Sequence, residues 1–437
     1  MKVLIIGGTG EMGQWFATFF KEHGYEVTVW GHSHRVDVAE RLGVYFAADL
    51  DSAVADSDIV IISVPIDITT DVIRQVAPGM KTGSLLMDLT SLKKGPVEAM
   101  QRYAPADVEI IGTHPMFGPS IPSLHGQIVI LSPVERRCER WFDRIHSLLE
   151  DNGAHLEIID PAEHDKFVSV VQGLTHFAYI TIGSTLQKLD FDVKSSRRFM
   201  SPVYEIMLDF VGRILGQNPY LYALIQMENP EVLKVHDAFL KECEQVSSMV
   251  RNHETGEFCQ NMKDAAAHFG DTHSALRRSD KLINSKIAEF EELIHSIGKE
   301  RGICHIYSGV THVGIIEKVT LRTVSLTEGS STTVLLIENV QLLSDSELIH
   351  WKRKVLKHCQ RDISALIPNE SDPDMFREII DMDERVISVD IVDTYTGLQD
   401  SDRISVTFRI RIIGDLQPGD VQSDVEEMLR RLGCRIR

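Results

Sequence analysis

Short apolar runs separated by helix-period stretches dominate the first third of the chain. Residues 2–6, 26–30, 59–64, 84–87, 108–111, 127–131 and 155–159 read as strands, and Trp15, Phe16, Phe19 and Phe20 mark one face of a helix after the first of them. Strands alternating with helical stretches predict a parallel α/β sheet over residues 1–160. From 161 to 298 the period becomes helical. Phe167, Val168, Val170, Val171, Leu174, Phe177, Ala178 and Ile180 are apolar nearly all round, which predicts a buried helix. Asp165, Ser169, Gln172 and His176 recur on it at helical steps as a polar stripe, which must meet neighbouring helices or a polar ligand. Residues 202–215 predict another helix. Leu282, Ile283, Ile287, Phe290, Leu293, Ile294 and Ile297 give a third an amphipathic face, and a helical region of this size predicts a homodimer. Residues 299–358 turn β-rich, with short strands at 303–307, 314–324 and 332–340, as in a small barrel. Residues 359–437 then run strand, helix, strand, strand, helix, strand, the ferredoxin-like α+β order.

At 437 residues the chain is long enough for several cores. A formal charge of −19 disfavours general attraction to nucleic acid or to an anionic membrane surface, although Arg403, Arg409 and Arg411 concentrate positive charge on one strand. The six cysteines show no Cys-x-x-Cys pair, so neither a disulfide framework nor a zinc site is expected, and no metal. A charged leader and a long apolar run are both missing from the start of the sequence, so a cytoplasmic location without membrane attachment is expected.

Gly8, Gly10 and Gly13 fit G-x-G-x-x-G between a strand and a helix. Glycines there let the chain turn tightly and bring amides to a pyrophosphate at the helix N-terminus, so Gly8, Thr9, Gly10, Glu11, Met12 and Gly13 are candidate dinucleotide contacts. After the second strand, Gly31, His32, Ser33, His34 and Arg35 contain no carboxylate to meet a ribose 2′-hydroxyl, so NADP is favoured over NAD unless Arg35 is simply a solvated loop residue. Val64 and Pro65 close the next strand beside this loop. His114, in Gly-Thr-His-Pro-Met-Phe-Gly-Pro at 112–119, is expected just past a strand's carboxyl end, where open α/β sheets bind ligands; a Pro/Gly-bounded turn is the plain alternative. Thr90, Ser91 and Lys93 would line the same edge, with hydroxyls and an ammonium suited to an anion, or else cap a helix. Arg213 lies among Met207, Leu208, Phe210, Val211, Ile214 and Leu215, and needs a carboxylate, either Glu205 or Asp209 or that of a substrate.

Taken together, residues 6–13, 63–66, 88–96, 113–119, 163–165, 172–177 and 201–222 resemble the prephenate dehydrogenase family over residues 1 to about 295. The resemblance implies oxidative decarboxylation of prephenate to 4-hydroxyphenylpyruvate, or of arogenate, with a nicotinamide cofactor. It implies that His114 hydrogen-bonds the ring hydroxyl, that Arg213 binds a substrate carboxylate, and that Ser91, Lys93, Gln172 and His176 line the pocket. Glu205 stands where some relatives carry arginine. The segment from about 361 resembles the ferredoxin-fold anticodon-binding domain of phenylalanyl-tRNA synthetases, with an amino-acid-sensing domain as the competing likeness. Those resemblances imply tRNA or tyrosine as ligands of the C-terminal domain.

Overall fold

The computed structural model describes residues 1–397, 402–414 and 417–437. The chain forms two compact units, Met1–Gly270 and Asp271–Arg437. Among the described residues no helix is long and apolar enough to cross a membrane.

In the first unit, strands β1 (Lys2–Ile6), β2 (Glu26–Trp30), β3 (Tyr45–Phe46), β4 (Ile59–Ile62), β5 (Leu85–Asp88), β6 (Glu109–Pro115), β7 (Ile128–Pro133) and β8 (His155–Ile158) make one sheet. Its order is β3-β2-β1-β4-β5-β6-β7-β8. Val3 and Ile5 pack into one apolar cluster with Phe16 and Phe20, while Leu4 and Ile6 pack into another with Val60 and Ile73. Burial on both faces is why these strands read as unbroken apolar runs. Neighbours are parallel except β6 and β7, which pair antiparallel. The expected parallel sheet is thus present, with this one antiparallel pair within it. The 116–127 connection contains no helix, and without a crossover the chain can only return antiparallel. Pairing with β7 also draws β6 out as far as Pro115, so His114 lies within the strand, opposite Ile130, rather than just beyond its end.

Four helices of the first unit open on an Asp, Ser or Asn followed by proline. Asp160, Ser201, Asn218 and Asn229 each accept a backbone N–H of the first turn, and Pro161, Pro202, Pro219 and Pro230 occupy the position where no N–H is needed. The helix Pro161–Val168 passes through a π turn at Ser169–Leu174 into a second helix, Thr175–Lys188. Gly173 sits on that turn where an added Cβ would meet Val232 at 2.8 Å. The side chains of Asn229 and Gln226 donate to the carbonyls of Asp165 and Gly173, two acceptors at the turn. The predicted all-round burial of this segment is corrected: Val168 is 2% exposed, but Phe167 is 64% and Val171 53% exposed. One flank packs on the helix Pro230–Arg251, while Phe167, Val170 and Val171 on the opposite flank are exposed.

The expected boundary at 298 differs from the break between units at 270, because the helix Thr272–His295 belongs to the second unit, where Leu293 joins a buried cluster with Ile303, Ile316 and Val324. Strands β9 (Glu300–His305), β10 (Thr311–Val319), β11 (Thr323–Glu328), β12 (Ser331–Leu336) and β13 (Val340–Leu342) form an open antiparallel sheet, ordered β12-β11-β10-β9-β13, not a barrel. After it, β14 (His358–Pro368), β15 (Val386–Tyr395), β16 (Arg403–Ile413) and β17 (Arg435–Ile436) are ordered β15-β16-β14-β17. With the helices Pro373–Asp381 and Pro418–Arg431 between them they give the β-α-β-β-α-β sequence. Ile363, Ala365, Val406, Phe408 and Ile410 face Phe376, Ile380, Val425 and Leu429 in its core. Arg409 chelates Asp362 at 2.8 Å and Arg403 donates to the carbonyls of Leu366 and Gly433, so only Arg411 of the three expected basic residues is left exposed.

Candidate active site

The turn after β1 is shaped for close approach. Gly7 has φ +83°, and a Cβ there would lie 2.1 Å from the Ser63 carbonyl oxygen and 3.1 Å from Val64; one on Gly13 would meet the Gly7 carbonyl oxygen at 2.5 Å. The helix Glu11–Glu22 begins at Gly10 with no side-chain cap, which leaves its first N–H groups available to an anion. Thr9 packs on Gly31 at the end of β2, where an added Cβ would touch its hydroxyl at 2.3 Å. His32, Ser33, His34 and Arg35 follow as an exposed loop, and Arg35 lies 3.8 Å from Asp37. Glu11 is exposed and Met12 half-buried on the helix's first turn. Pro65, exposed, starts the helix Ile66–Val76. This cradle fits a dinucleotide: the room is made by missing side chains and the free donors are backbone amides.

On β6, beyond the end of β5, His114 is 2% exposed. Its Nδ1 is 2.9 Å from His164 Nε2, and His164 Nδ1 is 2.8 Å from Asp165 Oδ1. The Asp165 carboxylate also accepts the backbone N–H groups of Lys93 (2.8 Å) and Lys94 (3.1 Å). Gln172, on the π turn, brings its amide nitrogen to 3.3 Å from His114 Nε2. Burial pushes the His114 pKa well below the usual histidine range, and His164 and the Lys93 ammonium act in the same direction. Burial also lowers His176, whose ring meets Tyr222 edge-on at 4.6 Å. Gln172 Oε1 and His176 Nδ1 are buried without a hydrogen-bond partner among the described residues, as expected of groups awaiting a polar ligand. Ser91 is half-buried on the turn after β5.

Two expectations change. Lys93 was expected to offer its ammonium to an anionic ligand, but it is fully buried and its Nζ bonds Asp88, itself 0% exposed. Asp88 is saturated, with Thr90 N, Thr90 Oγ1 and Thr113 N as further donors, and Gly112 leaves room for the Lys93 stem at 3.2 Å. A charge taken from water that completely needs its counter-ion, so Lys93 stays with Asp88. The sequence places Arg213 among apolar neighbours, as if enclosed by them. It is exposed instead, on the outer side of its helix, and makes no ion pair among the described residues; Asp209 pairs with Arg197 at 3.6 Å. Arg213 is close enough to Tyr222 to oppose the rise that burial gives the phenol's pKa, so it stands near the His176 end of the polar stripe. His164, Asp88 and Tyr222 were not singled out from sequence. His164 is 50 residues from its partner, and only the packing of the Pro161–Val168 helix on the sheet edge brings them together.

A glycine-rich cradle on a parallel sheet, set beside a buried neutral histidine, defines a nicotinamide-dinucleotide-linked oxidoreductase. Residues 16–158 match the nucleotide-binding domain of prephenate dehydrogenase and residues 160–264 match its dimerization domain. A probable arogenate/prephenate dehydrogenase of Methanocaldococcus jannaschii is 37% identical over 100% of this chain and 98% of its own length. The T-protein of Haemophilus influenzae is 30% identical over 64% of this chain and 71% of its own. Among solved structures, prephenate dehydrogenase from A. aeolicus, in complex with hydroxyphenyl propionate and NAD+, superposes with a TM-score of 0.51 at 21% identity, over 61% of this chain and 96% of that one. The chain belongs to the prephenate dehydrogenase family.

Proposed function

We propose that the protein oxidatively decarboxylates prephenate to 4-hydroxyphenylpyruvate for tyrosine synthesis, in the cytoplasm. The observation that carries this reading is the buried His114 on the same sheet as the glycine cradle, with unpartnered polar atoms of Gln172 and His176 nearby. The bound dinucleotide would supply the hydride acceptor, held by residues 8–13 and 31–35 with Val64 and Pro65. His114 takes the proton of the ring hydroxyl as the C–H bond on the same carbon breaks. Loss of CO2 then leaves its electron pair to aromatise the ring. A histidine held neutral suits that role. Ser91 and Gln172 hydrogen-bond the ring end of the substrate, while Arg213 and His176 hold a carboxylate. Lys93 acts behind this surface, by helping to keep His114 unprotonated.

The exposed loop with Arg35 only loosely paired to Asp37 supports NADP over NAD, since a 2′-phosphate would find donors and little negative charge. With prephenate as substrate, NADP should give the higher kcat/KM and release one CO2 per cofactor reduced. A preference for NAD of about tenfold, roughly 1.4 kcal/mol, overturns the loop assignment. Turnover of arogenate but not prephenate would shift the substrate to the amino acid and leave the chemistry at His114 intact.

Arg213 is free to meet a substrate carboxylate because it is not engaged by any described acid. Arg213→Ala should raise KM for prephenate by about ten- to hundredfold, as for a lost charge-assisted contact, with melting temperature nearly unchanged. Unfolding without a KM change would make Arg213 structural.

The domain plan proposed is a dinucleotide domain over 1–160, a helical substrate and dimerisation domain from 161 toward 298, a β-rich segment to 358 and a ferredoxin-like domain over 359–437. The uncovered apolar flank at Phe167, Val170 and Val171 supports a homodimer through the helical domain. For the last domain, tyrosine and tRNA are the two ligands weighed. The internal engagement of Arg403 and Arg409 favours tyrosine.

A further inference from the structure

We propose that His164 is a positioning residue that sets the tautomer of His114, through a hydrogen-bonded line from Asp165 to His164 to His114. The inference rests on His114 being the proton acceptor and goes beyond that reading. Its starting point is Asp165, whose carboxylate is fixed by two backbone donors, Lys93 N and Lys94 N, and can only accept. His164 must therefore place its proton on Nδ1, toward Asp165 Oδ1 at 2.8 Å. A neutral ring protonated there presents a bare Nε2, which accepts from His114 Nδ1–H at 2.9 Å. His114 is thereby left with its lone pair on Nε2, the nitrogen that faces the Gln172 amide at 3.3 Å and the substrate side. Without this line a neutral histidine is free to protonate Nε2 instead and present a donor where an acceptor is needed.

The surroundings agree. His164 is 0% exposed and Asp165 7%, so no solvent competes for either bond. The charged and titratable groups around His114 are Lys93 with Asp88 from the β5 side, and His164 with Asp165 from the Pro161–Val168 helix; the π turn contributes the uncharged Gln172. The backbone carbonyl of Asp165 is itself held by Asn229 at 2.8 Å, which fixes the base of the line.

His164→Phe keeps a ring in the space and removes both hydrogen bonds. It should lower kcat for prephenate by about ten- to hundredfold, short of the two to four orders of magnitude that loss of the base itself costs. KM values should hold within about threefold, so that the loss falls on kcat. His164→Gln, whose amide can still accept from His114 and donate to Asp165, should recover most of the rate. The double variant His114→Asn/His164→Phe should be no slower than His114→Asn alone, because His164 acts only through His114. Multiplicative losses in the double variant, or a His164→Gln variant as slow as His164→Phe, would make His164 merely structural and overturn the proposal. If His114→Asn alone keeps near-normal kcat, the proton-acceptor reading has failed instead, and the two failures are told apart.

Discussion

His114→Asn should lower kcat by about two to four orders of magnitude while dinucleotide affinity stays within about threefold of the parent. The asparagine keeps a polar group of similar reach in a site with 2% exposure, so folding should survive. What it removes is a base whose depressed pKa keeps the ring neutral. The sign of the pH dependence follows from the depressed pKa. A neutral acceptor loses its function only when protonated, and burial, His164 and Lys93 all resist protonation. The acid limb of kcat/KM in the parent enzyme should therefore fall at lower pH than an ordinary exposed histidine would give, and it should vanish in His114→Asn. A variant within about threefold of the parent in kcat would remove His114 from the chemistry.

The dinucleotide half was legible because its signals are local. The glycines at 8, 10 and 13 answer to backbone constraints within one turn, and doubly buried strands announce themselves as apolar runs. Less was legible where two distant segments meet. The antiparallel turn back of β7 depends on a connection that forms no crossover helix, which moved His114 inside its strand. Lys93 looked like a ligand-facing ammonium because nothing in its neighbourhood reveals that Asp88, five residues earlier, would turn to meet it in a fully buried pair. Arg213 shows the opposite error: apolar neighbours along a helix do not enclose a residue if they point the other way. The apolar pattern at 167–180 reported a surface that wants cover, and in a single chain only one flank has it. One signal was present and unused. Ser344 and Glu347 form a capping box that opens the helix Asp345–Val355, a four-residue spacing readable from sequence. The π turn at Ser169–Leu174 has no such signature; it is held by Gln226 and Asn229 from other helices.

Asp88→Ala should destabilise the protein by about 3–5 kcal/mol, the cost of leaving a buried charge without its partner, and Lys93→Ala should do so by a comparable amount. Both groups are 0% exposed, and Asp88 also accepts from Thr90 and from the N–H of Thr113, the residue before His114. Removing it therefore frees donors from the turn after β5 and from β6 at once. The double replacement Asp88→Leu/Lys93→Met, which takes away both charges and keeps the volume, should be far less harmful than either single change, since a well-packed apolar pair can match a buried ion pair. Urea unfolding of the parent, Asp88→Leu, Lys93→Met and the double replacement closes the cycle. The same set separates the two roles considered for Lys93. A lysine that binds substrate would raise KM when lost and leave stability alone. A lysine that works from behind His114 should instead cost stability and let the pKa of His114 rise when its charge is removed, moving the acid limb of kcat/KM to higher pH in the double replacement. An unchanged unfolding midpoint in Lys93→Ala, with a raised KM, would return Lys93 to the substrate surface and show that its bond to Asp88 gives way when substrate binds.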